Sequence, residues 1–448
     1  MSIQSTIIPI QAETARMPEP QTRGYVLNLV RNLTPTRMES EIRRVAEAGF
    51  NLLVFPIYNN GWTLFPSEEA LARRLPRINP LFKKWDPLAE AVTLAREMEL
   101  AVWGLARIHD FHARYSVMEH KLLRRFPRWR MRAHPALQDS RTRLYEERHA
   151  CPINYEYRQF VADLLAEAAA RYPIEGLMLN YTGMGLNGGT LRNAPYCFCN
   201  HCCLLYWQTF NADLMDDAAG ERLARVRQWQ MEQAHEQLSY LRMRLARTRR
   251  TLRLICRATP DWRQEANYRG PNSDGSILMD WPRLLESGLV QELAVDHDGE
   301  RCGAQFTARV ATDFAYLGDR VLFLPMVSIH ELDELRLATE LQNRLPVPGI
   351  IAEFQSGFSE EDTQYIRERF FPENAELPET NPVMTAAWLL DRVRQGHPGH
   401  PIMRDLLGDI LRLLSRQIPT PSDFELLEVL EENLLGLEQA IRRRRLER

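Results

Sequence analysis

The chain has 448 residues, a formal net charge of −3, 45% hydrophobic and 26% charged residues. That is the balance of a soluble globular protein, and it excludes recruitment to nucleic acid or anionic lipid by bulk charge. The seven cysteines are an odd number without an even framework spacing, which argues against a disulfide scaffold.

The first 22 residues read as an N-terminal extension. They carry no early positive charge and no apolar core of signal-peptide length, and no apolar run in the chain is long enough to span a bilayer. The expectation is a cytoplasmic protein without a membrane partner. From Arg23 onward short apolar runs alternate with amphipathic stretches. The runs Gly24–Val30, Asn51–Ile57, Leu100–Ala106, Glu175–Asn180, Thr251–Arg257, Val290–Val295, Arg320–Val327 and Gly349–Phe354 are rich in Val, Ile, Leu and Phe without strict alternation. Strands buried on both faces of a parallel sheet have this character. Between them lie helical patterns over Arg37–Ala48, Asp86–Met98, Tyr155–Tyr172, Glu221–Arg249, Trp281–Ser287, Gln305–Leu317, Glu331–Asn343 and Glu360–Phe370. In the longest, Leu223, Val226, Gln230, Ala234, Leu238, Leu241 and Leu245 draw one buried stripe. Eight strands, each followed by a helix, predict an α/β fold of the (β/α)8 TIM-barrel kind over residues 23–376.

Two connections are far longer than such units need: Arg107 to Asn154 after the third strand, and Tyr181 to Gly220 after the fourth. Both follow strands and so belong to the face where barrels carry their chemistry. After Pro372 the pattern becomes helical, over Met384–Arg394, Ile402–Gln417 and Ser422–Arg445, with breaks at HPGHP and IPTP. This predicts an all-helical appendage over residues 377–448. Its leucine-rich last helix should pack on the barrel or on a second copy of the chain, giving a homo-oligomer. The basic run Arg442–Arg445 suits a helix C-terminus.

Several segments together resemble the glycosyl-hydrolase-like barrels labelled family-10-type or DUF187. They are Arg23-Gly24-Tyr25-Val26, Ala48-Gly49-Phe50-Asn51, the WDPLAEAV stretch at Trp85–Val92, Ala101-Val102-Trp103-Gly104, Cys151 to Arg158, and Asp280 to Val290. The resemblance covers most of residues 23–355 and implies sugar-directed chemistry with no required cofactor. In that family the fourth strand ends in Asp-Gly-Ile-His-x-Asp-Tyr, whose last aspartate is the presumed catalytic or substrate-gripping acid. Here the run is Glu175-Gly176-Leu177-Met178-Leu179-Asn180-Tyr181. An amide can hydrogen-bond a sugar hydroxyl but cannot serve as a carboxylate nucleophile or base.

Catalytic acids must then come from other strand ends, since glycoside cleavage ordinarily uses two carboxyl groups across the scissile bond. Asp110 follows the third strand, Asp296 and Asp298 follow the sixth around His297, and Glu353 lies in the eighth. Glu353, set in the apolar run Ile350-Ile351-Ala352-Glu353-Phe354, leads, because a carboxylate there must be paired or face a polar pocket. It either acts on substrate or pairs with an arginine such as Arg107 or Arg257. The residues around Asp298-Gly299 equally suit a hydrated turn. Asn180, Tyr181, His109, Arg107, Arg257, Trp62 and Tyr58 are candidate carbohydrate contacts. His109 is also open to a role as a wall residue, and the aromatic side chains to one in the core.

The run Cys197-Phe198-Cys199-Asn200-His201-Cys202-Cys203 can direct several thiolates at one tetrahedral ion. Cys151, expected to begin the helix before the fourth strand, completes the set with Cys197, Cys199 and Cys202; His201 and Cys203 are alternatives. The arrangement resembles that of zinc-containing barrel β-galactosidases, in which the metal is structural. Structural zinc, packing thiols without metal, and a redox function are the open readings. The expected function is glycoside hydrolysis of a polysaccharide or glycoconjugate. The alternative is a catalytically inactive barrel that binds a glycan or a protein partner.

Overall fold

The structure, a computed structural model, describes residues 21–28, 34–59, 61–72, 84–109, 111, 121–137, 149–180, 184–185, 197–249, 252–258, 266–268, 276–287, 289–290, 292–297, 308, 310, 312–313, 322–344 and 349–375. The helical appendage expected over 377–448 lies outside them. Residues Arg23–Phe370 form one compact unit.

Eight parallel strands make the barrel: β1 (Thr22–Val26), β2 (Leu52–Asn59), β3 (Ala101–Arg107), β4 (Gly176–Asn180), β5 (Arg253–Ala258), β6 (Glu292–His297), β7 (Leu322–Ile329) and β8 (Gly349–Phe354). Each pairs with its sequence neighbours, and β1 pairs with both β8 and β2, which closes the sheet into the (β/α)8 barrel. Closure leaves no edge strand unpaired. Among the described residues no helix is long and apolar enough to cross a membrane.

Many residues that carry the family resemblance turn out to be joints of this frame. Arg23 and Asn51 lock β1 to β2, the backbone N–H of Arg23 donating to Asn51 Oδ1 at 2.8 Å and that of Asn51 to Arg23 O at 3.1 Å. Gly49, at φ 89°, makes the left-handed turn from helix α1 (Pro35–Glu47) back into β2, which glycine adopts without a Cβ penalty. Asp86 caps helix α2 (Pro87–Glu97), accepting from Ala89 N at 3.1 Å, and also takes the Tyr172 hydroxyl at 2.8 Å. Asn154 caps helix α3 (Tyr155–Arg171), so Cys151 precedes that helix rather than beginning it. Asp280 does the same for the short helix Trp281–Glu286.

The lower barrel interior is filled by alternate residues of the strands. Trp103 pairs in register with Gly176, and Gly176 with Arg253, whose guanidinium carbon lies 5.9 Å from the Trp103 ring centroid. A Cβ on Gly176 would meet Trp103 Cδ1 at 2.9 Å, so the indole occupies the space a side chain would need. Arg253 also pairs with Glu292 on β6. One step up, Met178 and Ile255 are level and fully buried.

Beyond the strands, the excursions after β4 and β5 share a small antiparallel sheet, in which Met184–Gly185 pairs with Ser276–Leu278 and the latter with Ala266–Tyr268. Short helices over Glu68–Ala72, Asn200–Phe210 and Leu214–Ala219, unforeseen from the sequence pattern, fill the connections. The long helix α4 (Leu223–Thr248) buries Val226, Gln230, Ala234, Leu238, Leu241 and Leu245 of the predicted stripe.

Candidate active site and cysteine cluster

Strand register decides which side chains reach the mouth of the barrel. Paired residues of a ladder point to one face and successive residues to opposite faces. Arg107 pairs with Asn180, Asn180 continues one step beyond the Leu179–Cys256 pair to the level of Arg257, and Arg257 pairs with Ala294. Asp296 lies two residues above Ala294 on the same face, and Glu353 pairs with Ser328 on β7. The direction of that face follows from a contact: Arg257 on β5 reaches Glu353 on β8, which is feasible only across the lumen.

Arg257 is the centre of the arrangement. Its Nη2 donates to Asp296 Oδ2 at 2.6 Å and to Glu353 Oε2 at 2.8 Å. The guanidinium side chain is 10% exposed, Glu353 14% and Asp296 27%, so the aspartate is the member nearest solvent. Asp296 Oδ1 is buried and has no hydrogen-bond partner among the described residues. Beside this triad, Asn180 is 4% exposed, its backbone carbonyl accepts from Ile108 N, and its Nδ2 is likewise without a partner among the described residues. A buried donor left unpaired is costly, and a ligand acceptor would satisfy it. Arg107 is half-buried beside Asn180, and Trp62, half-buried, stands on the turn where Asn59 pairs with Trp62 at the end of β2.

Other candidates face elsewhere. The sequence expectation has Asp296, His297 and Asp298 leave one strand end together. Instead β6 runs through His297, and alternation separates the first two. His297 turns away from the lumen, its Nδ1 beside Val295 O at 2.9 Å and its Nε2 beside Asp313 Oδ2 at 3.3 Å. His109 is buried behind the barrel wall, 3.0 Å from Gln237 Oε1 on α4 and against the Tyr157 ring. Tyr58 is fully buried with its ring near Phe111, and burial pushes its hydroxyl well above the usual phenol range. Both occupy the helix layer rather than the mouth. Asp110, Asp298 and Tyr181 lie outside the described residues.

Cys151, Cys197, Cys199 and Cys202 bring their sulfurs within 4.8 Å of one another, all four buried. The separations are 3.5 Å for Cys151–Cys202 and Cys199–Cys202, and 3.9 Å for Cys151–Cys199. Hydrogen bonds from the Cys151, Cys197 and Cys202 thiols hold Cys199 far below the ordinary cysteine value, while burial pushes Cys197 and Cys202 up. Four soft donors at this spacing fit a tetrahedral divalent ion. Met131, Ile153, Phe198, Tyr206 and Trp229 pack around them as an apolar shell. Arg158, 11% exposed, is the nearby cation, feeling the charge of Cys151 and Cys202.

Comparison with known proteins bears on the fold and the family. No curated protein matches the chain in sequence. Among solved structures, the PgaB (BpsB) glycoside hydrolase domain from Bordetella bronchiseptica superimposes with a TM-score of 0.56 at 12% identity, over 79% of this chain and 100% of that one. The catalytic domain of β-amylase from Paenibacillus polymyxa gives 0.53 at 8% identity, over 79% and 98%. The α-L-fucosidase isoenzyme 2 from Paenibacillus thiaminolyticus gives 0.50 at 14% identity, over 82% of this chain, which spans only 50% of the fucosidase. At such identities the likeness is one of fold. The model of the glycosyl hydrolase-like 10 family matches residues 23–297, from β1 to the end of β6, and the chain belongs to that family.

Proposed function

We propose that the chain is a glycoside hydrolase acting on a polysaccharide or glycoconjugate, with Asp296 and Glu353 as its carboxylate pair. The observation that carries this reading is the convergence of these two acids, from β6 and β8, on one nitrogen of Arg257. Two acceptors on one nitrogen stand within about 5 Å of each other, the spacing typical of a retaining glycosidase. Arg257 fixes one oxygen of each acid. Asp296 Oδ1 is then the oxygen left to meet the anomeric carbon, and Glu353 serves the leaving oxygen. Asn180 Nδ2 binds a sugar hydroxyl, Arg107 lies alongside, and Trp62 offers its face to the ring. This chemistry calls for no cofactor. A cytosolic location belongs to the same reading and suits thiols kept reduced.

The test is a screen of aryl glycosides and cell-wall polymers with the wild type, Asp296→Asn, Glu353→Gln and Asn180→Ala. Each carboxylate variant should lose at least about a hundredfold in kcat. Asn180→Ala should raise KM by about tenfold, the equivalent of one hydrogen bond of ~1.4 kcal/mol. Turnover unaffected by both carboxylate changes removes the pair from catalysis. The second reading, a glycan-binding barrel without turnover, rests on Arg257 itself, which already engages both acids, and on the amide at Asn180. Saturable glycan binding that Asn180→Ala weakens, without any hydrolysis, would favour it.

A further inference from the structure

Nothing in a carboxylate mechanism uses the cysteine cluster, yet among the described residues it is a group whose ligand atoms converge closely enough to hold a metal ion. The sulfurs of Cys151, Cys199 and Cys202 stand 3.5–3.9 Å apart, with Cys197 inside the same 4.8 Å group, too far for a disulfide, whose sulfurs stand about 2.05 Å apart. The three separations match the edge of a tetrahedron of thiolates around zinc, about 3.8 Å for bonds of ~2.3 Å. Backbone N–H groups of Arg132 and Cys199 point at Cys197 Sγ, at 3.1 and 3.3 Å, supplying the donors that a thiolate ligand needs. Arg158 adds a nearby positive charge.

The connectivity gives such an ion a task. Cys151 belongs to the excursion after β3, where Arg130 bridges Ala150, Cys151 N donates to Trp129 O at 2.7 Å, and Ala150 N donates to His109 O at 3.0 Å. Cys197, Cys199 and Cys202 lie where the chain returns from the excursion after β4, and Phe198 N donates to Arg132 O at 2.9 Å. One ion therefore joins the two longest insertions of the barrel. We propose that Cys151, Cys197, Cys199 and Cys202 bind one zinc ion in a closed tetrahedral site that clamps the excursion after β3 to that after β4. Four thiols give up their protons on binding, and the resulting double negative charge is offset in part by Arg158. All four positions are taken by protein, so no water is activated and the ion is structural. This does not depend on the glycosidase reading.

Elemental analysis of the purified full-length chain should find about one zinc per molecule. Cys199→Ser should lose it, while Cys203→Ser, whose native thiol contacts Phe198 O at 3.6 Å, should keep it. If Cys199→Ser does not fold, the wild type alone decides. A mercurial titration followed with a pyridylazo dye should release one zinc as the thiols are blocked, and cobalt exchange should give thiolate-to-metal charge-transfer bands. A wild type that stays free of metal after growth with added zinc overturns the proposal, whether all seven thiols titrate or some are lost to disulfides. So does a Cys203→Ser variant that loses the metal while remaining folded.

Discussion

Replacing Arg257 by methionine keeps the bulk of the side chain and removes its charge, leaving Asp296 and Glu353 facing each other in the lumen. Breaking a buried pair by removing one partner costs about 3–5 kcal/mol, because the remaining charge is uncompensated. Glu353, 14% exposed, is close to that limit, whereas Asp296, 27% exposed, is partly solvated and contributes less. The expected cost is about 4 kcal/mol, a fall in apparent Tm of roughly 5 °C for a unit of this size. The decisive comparison is the triple variant Arg257→Met, Asp296→Asn, Glu353→Gln, in which the stranded charges are neutralised at constant shape. Thermal melts at pH 7 should place it well above the single variant, recovering about half of the loss. A single variant as stable as wild type, or a triple variant no better than the single, would refute the account of Arg257 as the counter-charge of both acids.

Glu167 offers a pH test. Burial pushes its carboxyl up, but the Ser67 hydroxyl, the N–H groups of Glu68 and Glu69 and the Arg171 guanidinium outweigh burial and hold it below the usual carboxylate range. A lowered folded pKa means stability present above the unfolded value and lost as pH falls through the folded one. Glu167→Gln should therefore cost more at pH 7 than in acid, the difference shrinking as pH falls below the ordinary carboxylate range, as read from urea midpoints at the two ends. Equal costs at both ends would show that the charge is idle. Gly176→Ala tests the barrel floor. Its methyl would press on Trp103 Cδ1 at 2.9 Å and Ile255 Cδ1 at 3.1 Å, an overpacking worth about 2 kcal/mol, and an unchanged melting curve would mean the indole yields freely.

The barrel could be read from the sequence because parallel strands buried on both faces leave continuous apolar runs. All eight expected runs overlap strands, and the run Gly349–Phe354 matches β8 residue for residue. What could not be read is facing. Strand β6 extends two residues past its expected end, so alternation operates on Asp296 and His297 and sends one into the lumen and the other to Asp313. Hydropathy carries no information on that boundary, because both residues are polar. His109 and Tyr58 stand near strand ends in the sequence, but the β2 register shifts between Pro56 and Tyr58, and His109, past the end of β3, meets Gln237 on α4. That Cys151 joins Cys197, Cys199 and Cys202 was legible because both segments follow barrel strands on one face and thiols at C-x-C-x-x-C spacing can converge on one point. The motif residues Asn51, Asp86, Asn154 and Asp280 marked the family by serving as caps and locks, which is why they identify the frame and leave the reaction to other side chains.

The reach of Arg257 from β5 to the strand three places away sets a depth limit. Beneath it the lumen is closed by Met178, Ile255 and the Trp103–Arg253 layer, so whatever the barrel holds must rest on the guanidinium and be gripped from above. Selectivity among ligands can then drift with the rim while the floor stays constant, and changing it calls for grafting loops rather than redesigning strands.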